Sequence, residues 1–248
     1  MELISIITPI YNCKTFFLNT FKSVISQSYE NFEWIIVDDC STDGSYEFIV
    51  GLAKQDSRII ILKTKENGGT AVARNTGLRS VTGKYITFLD SDDLLDNNYL
   101  EEQLYFIKNN GPLISSGYRR HTDKSCTNFL VPDFVDYKTA LKGNPISCLS
   151  TMYDKEAIGE RYFPEDLLKC EDYVFWLSIL KDGFVCRGNP EVLATYNIHS
   201  GSKSSNKYKL IPYMHRVYHK TQGINWFKSW FYVIRWAFYG KKKYKNVR

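Results

Sequence analysis

At 248 residues, with 44% hydrophobic and 24% charged side chains, the chain has the composition of a globular protein, long enough for one α/β core or one core with a short appendage. Six cysteines (Cys13, Cys40, Cys126, Cys148, Cys170, Cys186) show no CxxC spacing, which excludes a zinc site and a disulfide framework and fits reduced thiols in a cytosolic protein. The net charge of +5 sits in residues 241–248, which hold five basic groups and no acid, so the basicity belongs to a tail suited to an anionic membrane surface and not to a nucleic-acid-binding face.

The chain opens as a strand over 3–9, without the basic start, long apolar run and cleavage site of a signal peptide. Helical spacing from Phe16 to Ile25 follows, then a strand over 33–38. Thr42-Asp43-Gly44-Ser45 predicts a turn into a helix reaching about Lys54, with Ser41 and Thr42 as its caps. Residues 58–62 read as a third strand, Asn67-Gly68-Gly69-Thr70 opens a helix through Arg79, and 84–89 form a fourth strand. A helix over 97–108 completes a first half that alternates strand and helix, the pattern of βαβ units on a parallel sheet.

The second half is looser. Strands are predicted at 113–118, 150–153 and 192–198 and a helix over 171–180, whereas 120–135 is polar and irregular and 200–206 a Gly/Ser-rich loop. Near the C-terminus Phe227, Trp230, Phe231, Ile234 and Phe238 repeat at helical spacing, with Lys228, Tyr232 and Arg235 on the other face. That stretch is too short and too charged to span a bilayer, and it reads as an interfacial amphipathic helix or as a helix packed on the core.

Chemistry concentrates at strand ends, where ligands of parallel α/β sheets sit. The fourth strand runs into Asp90-Ser91-Asp92-Asp93, and three carboxylates so close call for a cation; a divalent ion bridging a diphosphate suits oxygen ligands. Asp38 and Asp39 end the second strand, and Asp39 is the better placed to accept from a base or ribose. Pro9 breaks the first strand and leaves Tyr11 at the rim, either stacked on a base or packed under a loop. Gly68 and Gly69 would let a backbone approach an anion at a helix N-terminus, without the pattern of a P-loop or a dinucleotide fingerprint. Arg74 on that helix is a nucleotide contact or a solvated residue. Glu171 and Asp172 open the later helix, where acids ordinarily just complement the dipole, and Glu165 and Asp166 compete with them for any acid role. His199 follows a strand and is the histidine best placed as a ligand; His215 and His219, at i,i+4 without an HExxH frame, read as surface residues.

Taken together, residues 5–12, 36–43, 68–75, 89–93 and 171–172 resemble an inverting family 2 glycosyltransferase of the GT-A fold, similar to bacterial O-antigen and capsule enzymes, over roughly residues 1–200. The resemblance implies a Rossmann-like, mostly parallel central sheet flanked by helices, with a C-terminal amphipathic helical appendage. It implies a catalytic domain over 1–205 (nucleotide-binding half 1–110, acceptor-binding half 111–205) and a membrane-association segment over 206–248. Pro9, Tyr11, Asp39, Gly69, Arg74 and Asp90 would hold the nucleotide of a sugar donor, a UDP-sugar by this likeness. Asp92, with His199, would bind Mn²⁺ or Mg²⁺, and Asp172 would be the catalytic base, Glu171 the second candidate. The acceptor implied is a polyprenyl-diphosphate-linked saccharide at the inner face of the cell membrane. Two other readings stay open: a GT-A-like nucleotidyltransferase, against which the sequence Asn12-Cys13-Lys14-Thr15 counts, and a degenerate, non-catalytic binder of sugar nucleotides.

Overall fold

Strand β1 (Ile4–Ile10) is buried along its whole length, Ser5 and Thr8 included, because parallel neighbours flank it on both edges and helices cover both faces. The computed structural model describes residues 1–122, 125–198 and 210–245, the last five as backbone only. After β1 come α1 (Phe17–Ile25), β2 (Phe32–Asp38), α2 (Ser45–Ala53), β3 (Ile59–Lys63), α3 (Thr70–Leu78), β4 (Tyr85–Phe88), β5 (Leu94–Leu95) and α4 (Tyr99–Asn110). The second half adds β6 (Leu113–Thr122), β7 (Ser125–Phe129), β8 (Phe134–Val135), α5 (Tyr137–Ala140), β9 (Thr151–Asp154), α6 (Lys155–Ile158), α7 (Glu171–Lys181) and β10 (Cys186–Asn197). The C-terminal part is α8 (Ile211–Arg216), a π-helical turn over Val217–Thr221, and α9 (Trp226–Lys245).

One sheet runs through the molecule in the order β3-β2-β1-β4-β9-β6-β10-β5, with β7 on β6 and β8 on β10. Its first four strands are parallel. β9 enters antiparallel to both β4 and β6, while β10 returns parallel to β6. The parallel part is therefore the βαβ half read from the sequence, and the remainder of the sheet is mixed. Residues 125–129, expected to be irregular, pair with β6 as a hairpin, and β10 begins at Cys186, well before the expected strand. Both departures have one cause: backbone pairing to a long neighbouring strand satisfies N–H and C=O groups that polar, non-alternating side chains do not advertise.

Two apolar layers sandwich the sheet. One centres on Trp34, stacked on Phe17 at 5.7 Å, with its indole N–H donating to Thr8 Oγ1 at 2.9 Å. The other centres on Phe88, Phe163, Phe175 and Trp176, with Phe163 and Phe175 stacked at 4.1 Å. The second layer positions the site, because it anchors α7 and the segment before it against the carboxyl end of β4.

Of the two alternatives for the C-terminal helix, α9 shows packing on the core along one face. Ser229 and Val233 are buried, and Tyr232 lies on Tyr218 at 5.4 Å, so one face packs on the body. Gly143 receives the end of that face: a Cβ there would lie 2.2 Å from the Tyr239 ring. Phe227, Phe231, Ile234 and Phe238 turn outward and are exposed, while Trp230, less exposed, rests against the His215 ring at 4.6 Å. Among the described residues, no helix is long and apolar enough to cross a membrane.

Candidate active site

The ends of β1 and β2 are laced together by short side chains. Asn12, at φ +49°, takes the N–H of Thr42 on its Oδ1 at 2.8 Å and donates its own N–H to Ser41 Oγ. Ser41 and Thr42 thus serve the loop between strands. The helix they were expected to cap starts later, at Ser45, whose N–H and hydroxyl both go to Asp43 Oδ1. Tyr11 stands half exposed at this rim; Pro9, expected to break the strand, is buried in register with Val37, and β1 runs on to Ile10.

Asp39 is buried, and its carboxylate accepts from Gly69 N at 2.7 Å, Gly68 N at 3.0 Å and Thr64 Oγ1 at 3.0 Å. This corrects the expectation that the glycine pair offers its N–H groups to a ligand. The anion at the start of α3 is the protein's own, because a carboxylate 30 residues upstream reaches the helix N-terminus first. The glycines are still required: Gly69 lies at φ +85°, and a Cβ on Gly68 would press on Val72 at 2.7 Å. Asp38 is fully buried, accepting from Ser41 N, with Lys63 Nζ at 3.6 Å.

Arg74 is not a solvated helix residue. Its side chain is 4% exposed, its Nη2 donates to Asp90 Oδ1 at 2.7 Å, and its Nη1 lies 3.5 Å from Glu171 Oε1. The guanidinium carbon sits 5.2 Å from the Phe163 ring centroid. Burial works against its charge, but Asp90 and Glu171 hold it protonated. Nε and Nη1 still lack a hydrogen-bond partner among the described residues. One cation therefore joins the acid cluster after β4 to the acid-tipped start of α7.

The three carboxylates after β4 have separate surroundings. Asp90 and Asp92 are partly exposed, whereas Asp93 is fully buried, accepts from Asn197 N at 2.9 Å, and leaves Oδ2 without a described partner. Burial, reinforced by Asp90 and Asp92, pushes the Asp93 carboxyl well above the ordinary range. The turn itself is fixed from behind: Thr20 Oγ1 donates to the carbonyls of Ser91 and Asp93, and Asn197 Nδ2 to that of Asp92.

At the start of α7, burial pushes Glu171 above its usual value, Asp172 adds to the rise, and Arg74 opposes it. Asn144 Nδ2 reaches Asp172 Oδ2 at 3.4 Å. The competing acids are occupied elsewhere: Glu165 accepts from Asn75 at 2.8 Å, and Asp166 pairs with Arg216 at 2.8 Å. Asn75, Phe163, Asn144 and Asn197 were not singled out from the sequence. Each acts by packing or by hydrogen bonding to a residue distant in the chain, and no local pattern marks that. His199 lies outside the described residues. His215 and His219 correct their surface reading: both are partly buried, with ring centroids 5.7 Å apart.

The central sheet flanked by helices is an architecture of the GT-A type, as its match to solved structures shows. The chain belongs to glycosyl transferase family 2, whose description matches residues 5–157. It is 37% identical over 97% of both chains to a Bacillus subtilis protein described as a putative teichuronic acid biosynthesis glycosyltransferase, TuaG. It is 38% identical, over 84% of this chain and 82% of the other, to Escherichia coli WfaP, a UDP-Glc:alpha-D-GlcNAc-diphosphoundecaprenol beta-1,3-glucosyltransferase. The fold matches S. aureus TarS 1-349 in complex with UDP-GlcNAc at a TM-score of 0.68 and 19% identity, covering 92% of this chain and 69% of that one. This chain spans 41% of a longer TarS chain.

Proposed function

We propose that this glycosyltransferase moves a sugar from a UDP-sugar to a hydroxyl of a polyprenyl-diphosphate-linked saccharide in surface polysaccharide synthesis, with inversion at the anomeric carbon. The observation that carries the reading is the Arg74 bridge, which sets Asp90 and the Glu171-Asp172 pair around one crevice. Catalysis of this kind needs one carboxylate group beside the diphosphate and a separate one beside the acceptor. The named activities of WfaP and WfgD, both from UDP-Glc to a diphosphoundecaprenol acceptor with β linkage, support the donor and acceptor classes.

Asp172 is assigned the base. It takes the proton as the acceptor hydroxyl attacks opposite the nucleotide, an effect typically worth about 10²–10⁴-fold. Asn144 orients it, and Glu171, held by Arg74, supplies the negative wall that keeps the guanidinium in place. Tyr11 and Pro9 receive the base of the nucleotide; Asp39, through its grip on Gly68 and Gly69, shapes that wall and retains lone pairs for a base N–H. Arg74 fixes the nucleotide through Asp90, which it holds at 2.7 Å from behind.

Asp92 and Asp90 are hard oxygen donors at the right strand end, and Mg²⁺ or Mn²⁺ takes one or two carboxylates together with substrate phosphates, so the residues fit such an ion. When bound it neutralises charge on the departing diphosphate. A structural relative, PcManGT, is in complex with GDP-Man and Mn2+. The two halves at 1–110 and 111–205 serve donor and acceptor respectively, and 206–248 faces the inner surface of the membrane. Titrating UDP, GDP and dTDP sugars with and without Mn²⁺ by calorimetry tests the donor class. Metal-dependent binding of UDP and one UDP-sugar is expected, and preference for a GDP-sugar would overturn the uracil assignment.

A further inference from the structure

Beside the start of α7 lies a cavity of about 680 Å³, lined by Asp166, His215, Arg216, His219, Lys220 and Trp226, with Pro212 and Thr221. The helix α8 that supplies Pro212, His215 and Arg216 to this lining also carries Met214, whose Sδ contacts Cys170 Sγ at 3.8 Å, one residue before Glu171. The outer wall of the cavity is Trp226, the first residue of α9, whose exposed apolar strip runs on from the cavity mouth.

The donors are those of an anion site. Arg216 is held by Asp166 at 2.8 Å, but the two side chains are 49% and 69% exposed, and so exposed a pair is weak. A diphosphate can displace that carboxylate and take the guanidinium bidentately. Lys220 adds a second cation. His215 Nε2 is buried without a partner among the described residues, while the ring is fixed by Trp230 at 4.6 Å. His219 donates its Nδ1–H to the Ile224 carbonyl at 2.9 Å, which sets its orientation. Asp166 is the one carboxylate in the lining.

The apolar part is unusual for a folded surface. Phe227 is 81% and Phe238 67% exposed, on the face of α9 opposite the one packed on the body. From Phe227 to Phe238 the strip is roughly 17 Å long at 1.5 Å per residue. A contiguous exposed apolar surface rimmed by cations marks an interaction site for an amphiphile.

We propose that this cavity receives the diphosphate of the polyprenyl acceptor and that the outward strip of α9 carries its first isoprene units. The acceptor sugar then lies between the cavity and Asp172. The proposal rests on the lipid-linked acceptor reading above and adds to it the subsite.

Farnesyl diphosphate is the probe, followed through quenching of Trp226 and Trp230 in the full-length protein. It is expected to bind at least tenfold tighter than farnesol or inorganic diphosphate, and saturating UDP with Mn²⁺ should not displace it. Arg216→Gln with Lys220→Gln should weaken it at least tenfold at unchanged melting temperature. Phe227→Ser with Phe231→Ser should weaken farnesyl diphosphate and leave inorganic diphosphate alone. Equal affinity in the first double variant would overturn the proposal, as would displacement by UDP. Phosphatidylglycerol vesicles that displace inorganic diphosphate from the cavity would also overturn it, placing a bilayer headgroup there instead. A transfer assay separates the two readings. If wild type glycosylates a diphosphate-lipid acceptor and the Arg216/Lys220 variant keeps its acceptor KM, this subsite falls and the function stands. If the probe binds as described and no diphosphate-lipid is glycosylated, the subsite stands and the acceptor reading falls.

Discussion

Arg74 Nη2 lies 2.7 Å from Asp90 Oδ1, the closest ion pair between α3 and the acid turn after β4, and the same guanidinium reaches Glu171 on α7 with Nη1 at 3.5 Å. Three elements of the crevice therefore depend on one buried cation. Arg74→Ala should cost about 3 kcal/mol, the low end for breaking a buried pair because Asp90 keeps 37% exposure. It should also lower kcat/KM for donor hydrolysis at least a hundredfold. Arg74→Lys should restore most stability and little activity, since an ammonium cannot face two carboxylates in one plane. Thermal melts and steady-state kinetics on both variants check this; full activity in Arg74→Ala would remove it from the site.

Asp172→Asn should fold and bind donor as wild type does, yet transfer about 10²–10⁴-fold more slowly. Glu171→Gln should lose less, because Arg74 still pairs with Asp90. Single-turnover transfer at saturating donor separates the two, and the reverse order would move the base to Glu171.

Asp92→Ala should abolish the dependence of UDP affinity on Mn²⁺ while leaving metal-free binding intact. Calorimetry with and without the ion reads this directly. An unchanged metal effect would assign the ion elsewhere.

Glu33 is a buried carboxylate on β2 that accepts from Ser5 Oγ at 2.6 Å, Thr82 N at 2.6 Å, Thr82 Oγ1 at 2.9 Å and Gly83 N at 3.1 Å. Burial raises its pKa, but these donors together outweigh burial and hold it below the usual glutamate value. A depressed folded pKa means the stabilisation is present above the unfolded value of about 4.3 and is lost as pH falls through the folded one. Glu33→Gln should therefore cost about 1–2 kcal/mol at pH 7, and the gap to wild type should close below about pH 4. Urea unfolding at both pH values checks the sign.

The first half of the molecule was legible in the chain because its signals are local. Apolar runs of strand length, helical spacing between them and turn residues at each junction specify βαβ units, and those units place strand-end acids in one crevice whatever the rest does. The Asp90–Asp93 cluster and Asp39 could be found in this way, whereas the Glu171-Asp172 pair, at a helix start in the looser half, was marked only by the family resemblance. The β6–β7 hairpin could not, since a polar strand with no alternation reveals itself only through the backbone of its neighbour.

What the sequence by itself determined is thus the parallel half-sheet, the positions of the acids along it, and the existence of an aromatic helix with a basic tail. Only the tertiary structure decided which group each acid faces. Asp39 spends its oxygens on Gly68 and Gly69, Arg74 is buried and not solvated, Asp166 leaves the acid pair for Arg216, and α9 turns one face inward over Gly143 and the other outward. The reason is that chain pattern specifies how much apolar surface must be buried, while the partner of a charge is set by which elements converge after that burial. In a desolvated crevice, a contact between residues far apart in the chain outweighs any local preference.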